Sequence, residues 1–252
     1  MTTWTAGQRL FAQYAHAPNS LGFCGPQVAD GLLRGARGEH PDLDVAAVAA
    51  RFSGAWPYQH LIADLTEHAD PLEAEVVRAY WTGNALTRAV PADVFIAALL
   101  DRFRPQAGGY WAHLNDDLVA EASPTHAFHV LAVYPWSRLL GSGPEALGVL
   151  ESCRIGWGTV EEVGDEPLGR RTVVVRRSAL EYDAGLTLSR PSRERVTDDG
   201  FAGGVGPGDL VALHWGRVCD RLTAGEAEEL EYWTRWQLDA SNPRIRSAAE
   251  GA

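Results

Sequence analysis

The sequence predicts an α+β protein. An α-helical N-terminal domain over residues 1–150 is expected to precede a small OB/SH3-like β-barrel with a C-terminal helix over 151–240. Three observations predict this. Apolar residues recur three and four apart through most of the first part. After Cys153 the period drops to two, in short runs separated by Gly, Asp and Pro. An acidic segment with a capping signature, TAGEAEELEYW, follows the last of these runs. At 252 residues the chain can hold one large or two modest domains, each burying a core.

The first helix is expected over 5–15, where Thr5 and Gln8 have capping-box spacing and Leu10, Phe11 and Tyr14 share a face. Residues 16–26, HAPNSLGFCGP, are rich in turn formers and predict a loop, followed by a helix over 27–37. Further short helices are expected over 44–52, 60–68 and 72–81, with Pro57, Pro71 and Gly83 at the breaks. Pro91 suits the first turn of a helix that runs to Arg104, and helical texture continues over 110–122. SPTHAFHVLAVYPW reads either as a helix capped by Ser123 or as a short β-branched strand; its helical neighbours favour the helix.

From Cys153, which leads the first strand in this reading, about five short strands in roughly 65 residues fit a closed or partly open barrel. GPGD over 206–209 is a tight turn feeding 210–215. The closing helix, over 223–238, starts at Thr223 with Glu226 three residues on, and Glu231 and Arg235 are spaced to pair on its surface. The last dozen residues read as frayed.

Composition excludes several function classes. All 22 basic residues are arginine, so no lysine is present for Schiff-base or P-loop chemistry. A net charge of −11 argues against a nucleic-acid partner, whose phosphates need neutralising. Arg170, Arg171, Arg176 and Arg177 read as a solvated strand face. No apolar run is long enough to span a bilayer and no signal-peptide layout opens the chain, so no membrane association and a cytoplasmic location are expected. Three widely spaced cysteines do not form a disulfide framework; each is a buried filler or a reactive or metal-binding thiol.

The C-terminal segment carries CRIGWG then TV, later GDLVALHWG, then TAGEAEEL. In order and spacing these resemble the small chaperones that mature nickel–iron hydrogenases. Those begin Met-Cys, carry Gly-Asp-Tyr-Val-Leu-Val-His on a later strand, and end on an acidic helix. The resemblance implies an accessory or chaperone role with a hydrogenase maturation protein or the hydrogenase large subunit as partner. It also implies transient handling of an iron bearing cyanide and carbonyl ligands by Cys153 and His214. A thiolate is a soft, strongly donating ligand for such an iron, and imidazole can assist. Cys153 is internal where the relatives' cysteine is terminal, and Trp157 stands where they carry proline. As a whole the chain is also similar to an uncharacterised bacterial, hydrogenase-associated family carrying PNxLG[FY]CGP and AVYPW, here PNSLGFCGP and AVYPW.

Two constellations upstream could carry chemistry. Cys24-Gly-Pro before an expected helix would place a thiol at a helix N-terminus, which favours the thiolate. FCGPQVADGLL is similar to the nucleophile segment of papain-like cysteine peptidases and acyltransferases. That resemblance implies a cysteine-dependent hydrolase or acyltransferase with Cys24 as nucleophile and His129, opening an apolar strand, as base. Alternatively, Cys, Gly and Pro simply fit a turn. His126 and His129, three apart, would share one helix face and could bind a metal, with His113, His16 or Cys24 completing the set. The alternative is a pair of core or surface histidines.

Overall fold

The computed structural model describes residues 3–39, 42–103, 116–165 and 171–250. Helices dominate the first part: α1 (Ala6–Ser20), α2 (Ala29–Ala36), α3 (Val45–Ala49), α4 (Trp56–Leu65), α5 (Ala74–Trp81), α6 (Ala85–Ala89), α7 (Ala92–Phe103), α8 (His126–Phe128) and α9 (Pro144–Cys153). Among the described residues, seven strands follow: β1 (Gly156–Asp165), β2 (Arg171–Arg177), β3 (Leu180–Tyr182), β4 (Leu186–Leu188), β5 (Ser192–Asp198), β6 (Leu210–His214) and β7 (Arg217–Leu222). The chain closes on α10 (Ala224–Glu250). The expected α+β fold with a barrel and C-terminal helix is therefore present.

Five strands close the barrel in the order β1-β2-β5-β7-β6, while β3 and β4 form a separate hairpin. All barrel pairs are antiparallel except β5 with β7. Counting barrel strands alone, the third and fifth are the parallel neighbours, the arrangement of an OB-type barrel. Its interior is valine-rich: Val160, Val173, Val175, Val196, Val211, Leu213 and Val218 pack together. Along β6, Val211 and Leu213 belong to this interior while Ala212 packs into the core shared with the helices. Period-two alternation then turns His214 outward toward the helices as well.

The helices and the barrel's outer face share one apolar cluster. It joins Phe11, Tyr14, Tyr58, Tyr80 and Trp81 to Ala212, Cys219 and Leu222. A polar bridge runs beside it. Arg78 on α5 binds Asp220 on β7 at 2.9 Å and Glu226 on α10 at 3.1 Å, and the Tyr14 hydroxyl donates to Asp220 at 3.5 Å.

Several expectations need correction. The helix expected over 5–15 has its Thr5–Gln8 capping box but runs on to Ser20 through Pro18, because His16, Ala17 and Asn19 pack inward. Pro57 sits in the first turn of α4 instead of breaking the chain, a place where its missing N–H costs nothing. Residues 126–133 are helical, a short α-turn followed by a π-helical turn over His129–Val133, so His129 opens no strand. Thr125, not Ser123, caps that turn, accepting from the Phe128 N–H.

Cys153 ends α9 instead of leading β1. Pro144 starts that helix, Ala146 and Leu150 bury its face, and Arg154 then turns extended. Arg177 is not solvated; it is buried in ion pairs with Glu151 and Glu194. The closing helix has its Thr223–Glu226 reciprocal cap but does not fray after 238. Asn242 pairs with both backbone groups of Leu186, and Arg244 binds Glu121, which holds the last turns in place. His113 and Arg170 lie outside the described residues, as do residues 110–115 of the helix expected over 110–122, of which Asp116–Glu121 forms a 3-10 turn.

Candidate metal centre

Five residues singled out in the sequence, Cys24, His126, His129, Cys153 and His214, line one cavity of about 240 Å³ between the helices and the barrel. Each arrives on a different kind of support. Cys24 sits in the turn after α1. His126 begins the Thr125-capped helical turn, and the π-helical turn behind it brings His129 to the same wall. Such turns recur at functional sites because they re-aim side chains within a helix. Cys153 is the last residue of α9, and His214 the last of β6. Phe23, Tyr80, Trp81, Tyr134 and Trp215 supply aromatic walls.

Within this group, His126, Cys153 and His214 each place one ligand atom within 4.8 Å of the other two. Ligand atoms around one ion bound at about 2.0–2.3 Å are roughly 3.5 Å apart, so small side-chain rotations close the set. The two rings have centroids 5.4 Å apart, and Trp81 packs on both.

Hydrogen bonds orient the rings. His214 Nδ1 lies 2.8 Å from the Tyr14 carbonyl. A carbonyl only accepts, so the proton is on Nδ1 and the lone pair on Nε2. That Nε2 is buried and has no hydrogen-bond partner. The Cys153 carbonyl is near enough to influence its proton affinity but forms no hydrogen bond with it. His126 has two possible tautomers. In one, Nε2–H donates to the Cys153 carbonyl at 2.8 Å. In the other, Nδ1–H donates to the Tyr80 oxygen at 2.9 Å, and the Tyr80 hydroxyl donates to the Gly54 carbonyl at 2.8 Å. The Nε2 lone pair then faces the Cys153 carbonyl, so ligation through Nε2 requires the ring to turn from that oxygen.

Burial controls the protonation states. It pushes His214 and His129 down to about 4, and drives His126 well below the ordinary histidine value with help from the neighbouring rings. All three rings are therefore neutral at pH 7, the form that ligates metal. Burial pushes the Cys153 thiol up to about 12, against a smaller opposing pull from the Trp215 indole. That indole N–H makes no hydrogen bond of normal geometry, yet lies close enough to the sulfur to favour the thiolate.

Cys24 does not sit on a helix N-terminus as expected: α2 begins at Ala29, five residues on. Burial, and then the charge of Cys153, raise its thiol to about 12. His129 Nδ1 lies 3.3 Å from the Tyr58 hydroxyl, and a Cβ at Gly54 would come within 2.9 Å of His129 Nε2.

Three contributors carry no motif of their own. The Tyr14 carbonyl fixes His214, Tyr80 steers His126, and Trp215 walls the cavity from the β6–β7 turn. Trp215 and Gly216 both have positive φ there, at 51° and 68°, the pattern of a tight two-residue hairpin. Trp-Gly between two alternating runs was the one available signal for that turn.

A family model described as a family of unknown function (DUF6390) matches residues 3–248. The chain belongs to that family. No curated protein and no solved structure matches it. The match takes in the helices and the barrel together, so every residue of the cavity lies within the family's span. No helix among the described residues is long and apolar enough to cross a membrane.

Proposed function

We propose that this member of the DUF6390 family binds a transition-metal ion through His126 Nε2, Cys153 Sγ and His214 Nε2, and acts as a metal-carrying accessory protein. The observation that carries the reading is the buried lone pair of His214 Nε2, left without a partner beside a cysteine and a second histidine. An unsatisfied buried acceptor of this kind costs about 1–3 kcal/mol, and an ion would relieve it. One thiolate with two imidazoles suits zinc, copper, nickel or iron. Three protein ligands leave a coordination position open, as a carrier needs.

The pathway proposed is nickel–iron hydrogenase maturation, with the metal an iron bearing cyanide and carbonyl ligands. Its support is the resemblance of the C-terminal segment to the maturation chaperones. The two residues that resemblance singled out, Cys153 and His214, are neighbours in the cavity although 61 positions separate them in sequence. The partner would be a maturation protein or the hydrogenase large subunit.

Metal analysis and infrared spectroscopy of the full chain, purified alone and with hydrogenase maturation partners, test both levels. The expected result is about one metal per chain, lost in Cys153→Ser and His214→Ala, and cyanide and carbonyl stretches when the partners are present. A metal without those stretches removes the hydrogenase pathway and leaves the metal site. Absence of any metal removes both.

The cysteine-hydrolase reading, with Cys24 and His129, retains one supporting observation: both line the same cavity. It requires rapid alkylation of Cys24 near pH 7. The undissociated thiol, pushed up to about 12, predicts slow alkylation instead.

A further inference from the structure

We propose that Cys24 is the exchange ligand of this centre, the thiol through which the metal passes between solvent or a partner and the three resident ligands. The inference rests on the metal-binding reading above and concerns the route, which that reading leaves open.

Three observations carry it. First, Cys24 lines the same cavity as the cluster yet stands outside it, so it is a neighbour of the bound position and not one of the resident ligands. Second, the three candidate ligands and Cys24 share one cavity, so an open coordination position can face the thiol. His126 and His214 are anchored from behind by Tyr80 and the Tyr14 carbonyl, and the unpartnered Nε2 of His214 belongs to a residue that lines the cavity. Third, the Cys24 rim of the cavity meets water. Cys24 is partly exposed, and its neighbours Leu21 and Phe23 are about half exposed, at 52% and 48%. Phe23 stacks on Trp215 at 4.1 Å, which ties this outer rim to the residue next to His214.

The loop carrying the thiol is built to hold it there. Asn19 donates to the carbonyls of Cys24 at 2.8 Å and Pro26 at 2.5 Å, and accepts from the Val28 N–H at 3.4 Å. Gly22 and Gly25 turn the chain on either side with φ near 78° and 75°. A Cβ at Gly25 would overlap the Phe52 ring, so the turn is confined to glycine for space as well as for φ.

The exchange balances without any redox change. On entry, the Cys24 thiol gives its proton to water as its sulfur–metal bond forms. The Cys153 thiol then passes its proton to water as it bonds the metal, and this sulfur and the two histidine lone pairs displace water ligands that the ion carried in. The Cys24–metal bond breaks, and the released thiolate takes a proton from water. Exit runs in reverse, with an acceptor's ligand displacing Cys24 last.

Cobalt(II) loading of the full chain, followed by transfer to a coloured chelator in a stopped-flow instrument, tests this. Wild type, Cys24→Ser and Cys24→Ala should bind one cobalt per chain with the same visible and charge-transfer spectrum, which also shows that the variants fold. Both variants should load and release cobalt several-fold more slowly than wild type. Equal rates would overturn the exchange role. A weakened thiolate-to-cobalt band in the Cys24 variants would also overturn it, making Cys24 a resident ligand. Failure of the wild type to bind cobalt would instead strike the metal-binding reading itself, a result distinct from either.

Discussion

At the scale of single residues, the candidate centre depends on groups that share no motif with the thiols and imidazoles they hold in place. Asn19 is one: its side chain satisfies two loop carbonyls and one N–H around Cys24. Asn19→Ala should cost about 1–3 kcal/mol, the range for leaving buried groups unpaired, read as a lower midpoint in chemical denaturation. Cys153 yields a second expectation. Its thiol is protonated at pH 7 in the metal-free protein, so binding must displace that proton and affinity must rise with pH. Calorimetry in buffers of differing ionisation heat should report close to one proton released per metal. The candidate ligands were legible in the sequence because thiols and imidazoles are recognisable by type. The Tyr14 carbonyl was not, since every residue carries one, and neither was the reach of Trp215, which depends on a turn formed only when β6 and β7 pair.

At the scale of elements, close approaches of backbone decide what the chain tolerates. Gly7 on α1 lies against the chain entering α5, where a Cβ would overlap the Leu72 carbonyl. Gly7→Ala should destabilise by at least about 1–3 kcal/mol, as overpacking does, visible as a fall in thermal midpoint. Helix existence was largely legible from periodicity and capping, as at Thr5 and Thr223. Boundaries were less so, because tertiary contacts override local signals. Pro18 reads as a breaker but lies in a turn whose neighbours are buried, and Pro243 lies inside α10 while Asn242 and Arg244 anchor the turns around it. The assignment of Cys153 to a strand failed for a related reason: the burial of Leu150 extends α9 to the edge of the barrel.

At the scale of the whole molecule, the helices and barrel are joined by the shared core and by the Arg78–Asp220–Glu226 bridge. Arg78→Ala would leave Asp220 largely buried beside Tyr14 without its cation, at a cost of about 3 kcal/mol, the lower end for broken buried pairs. Equilibrium denaturation checks this. Acid should act on the metal-free protein as a whole. His129 and His214 are held near 4 in the folded chain but take up protons near 6.5 when unfolded. The unfolded state therefore binds more protons between those values. Stability should be complete above about pH 6.5 and fall toward pH 4, by on the order of 3 kcal/mol for each ring. Thermal scans from pH 7.5 to 4.5 should show a steadily falling midpoint.

The hydrogen bond from His214 to the Tyr14 carbonyl joins positions 200 apart. Its consequence concerns biosynthesis. A growing polypeptide displays Cys24, His126 and Cys153 long before the strand bearing His214 has left the ribosome, and the tautomer that frees Nε2 is set only when that strand docks on the first helix. On the proposed metal-binding reading, a chain that lacks β6 has no assembled site, so occupancy would report that this strand has docked on the first helix.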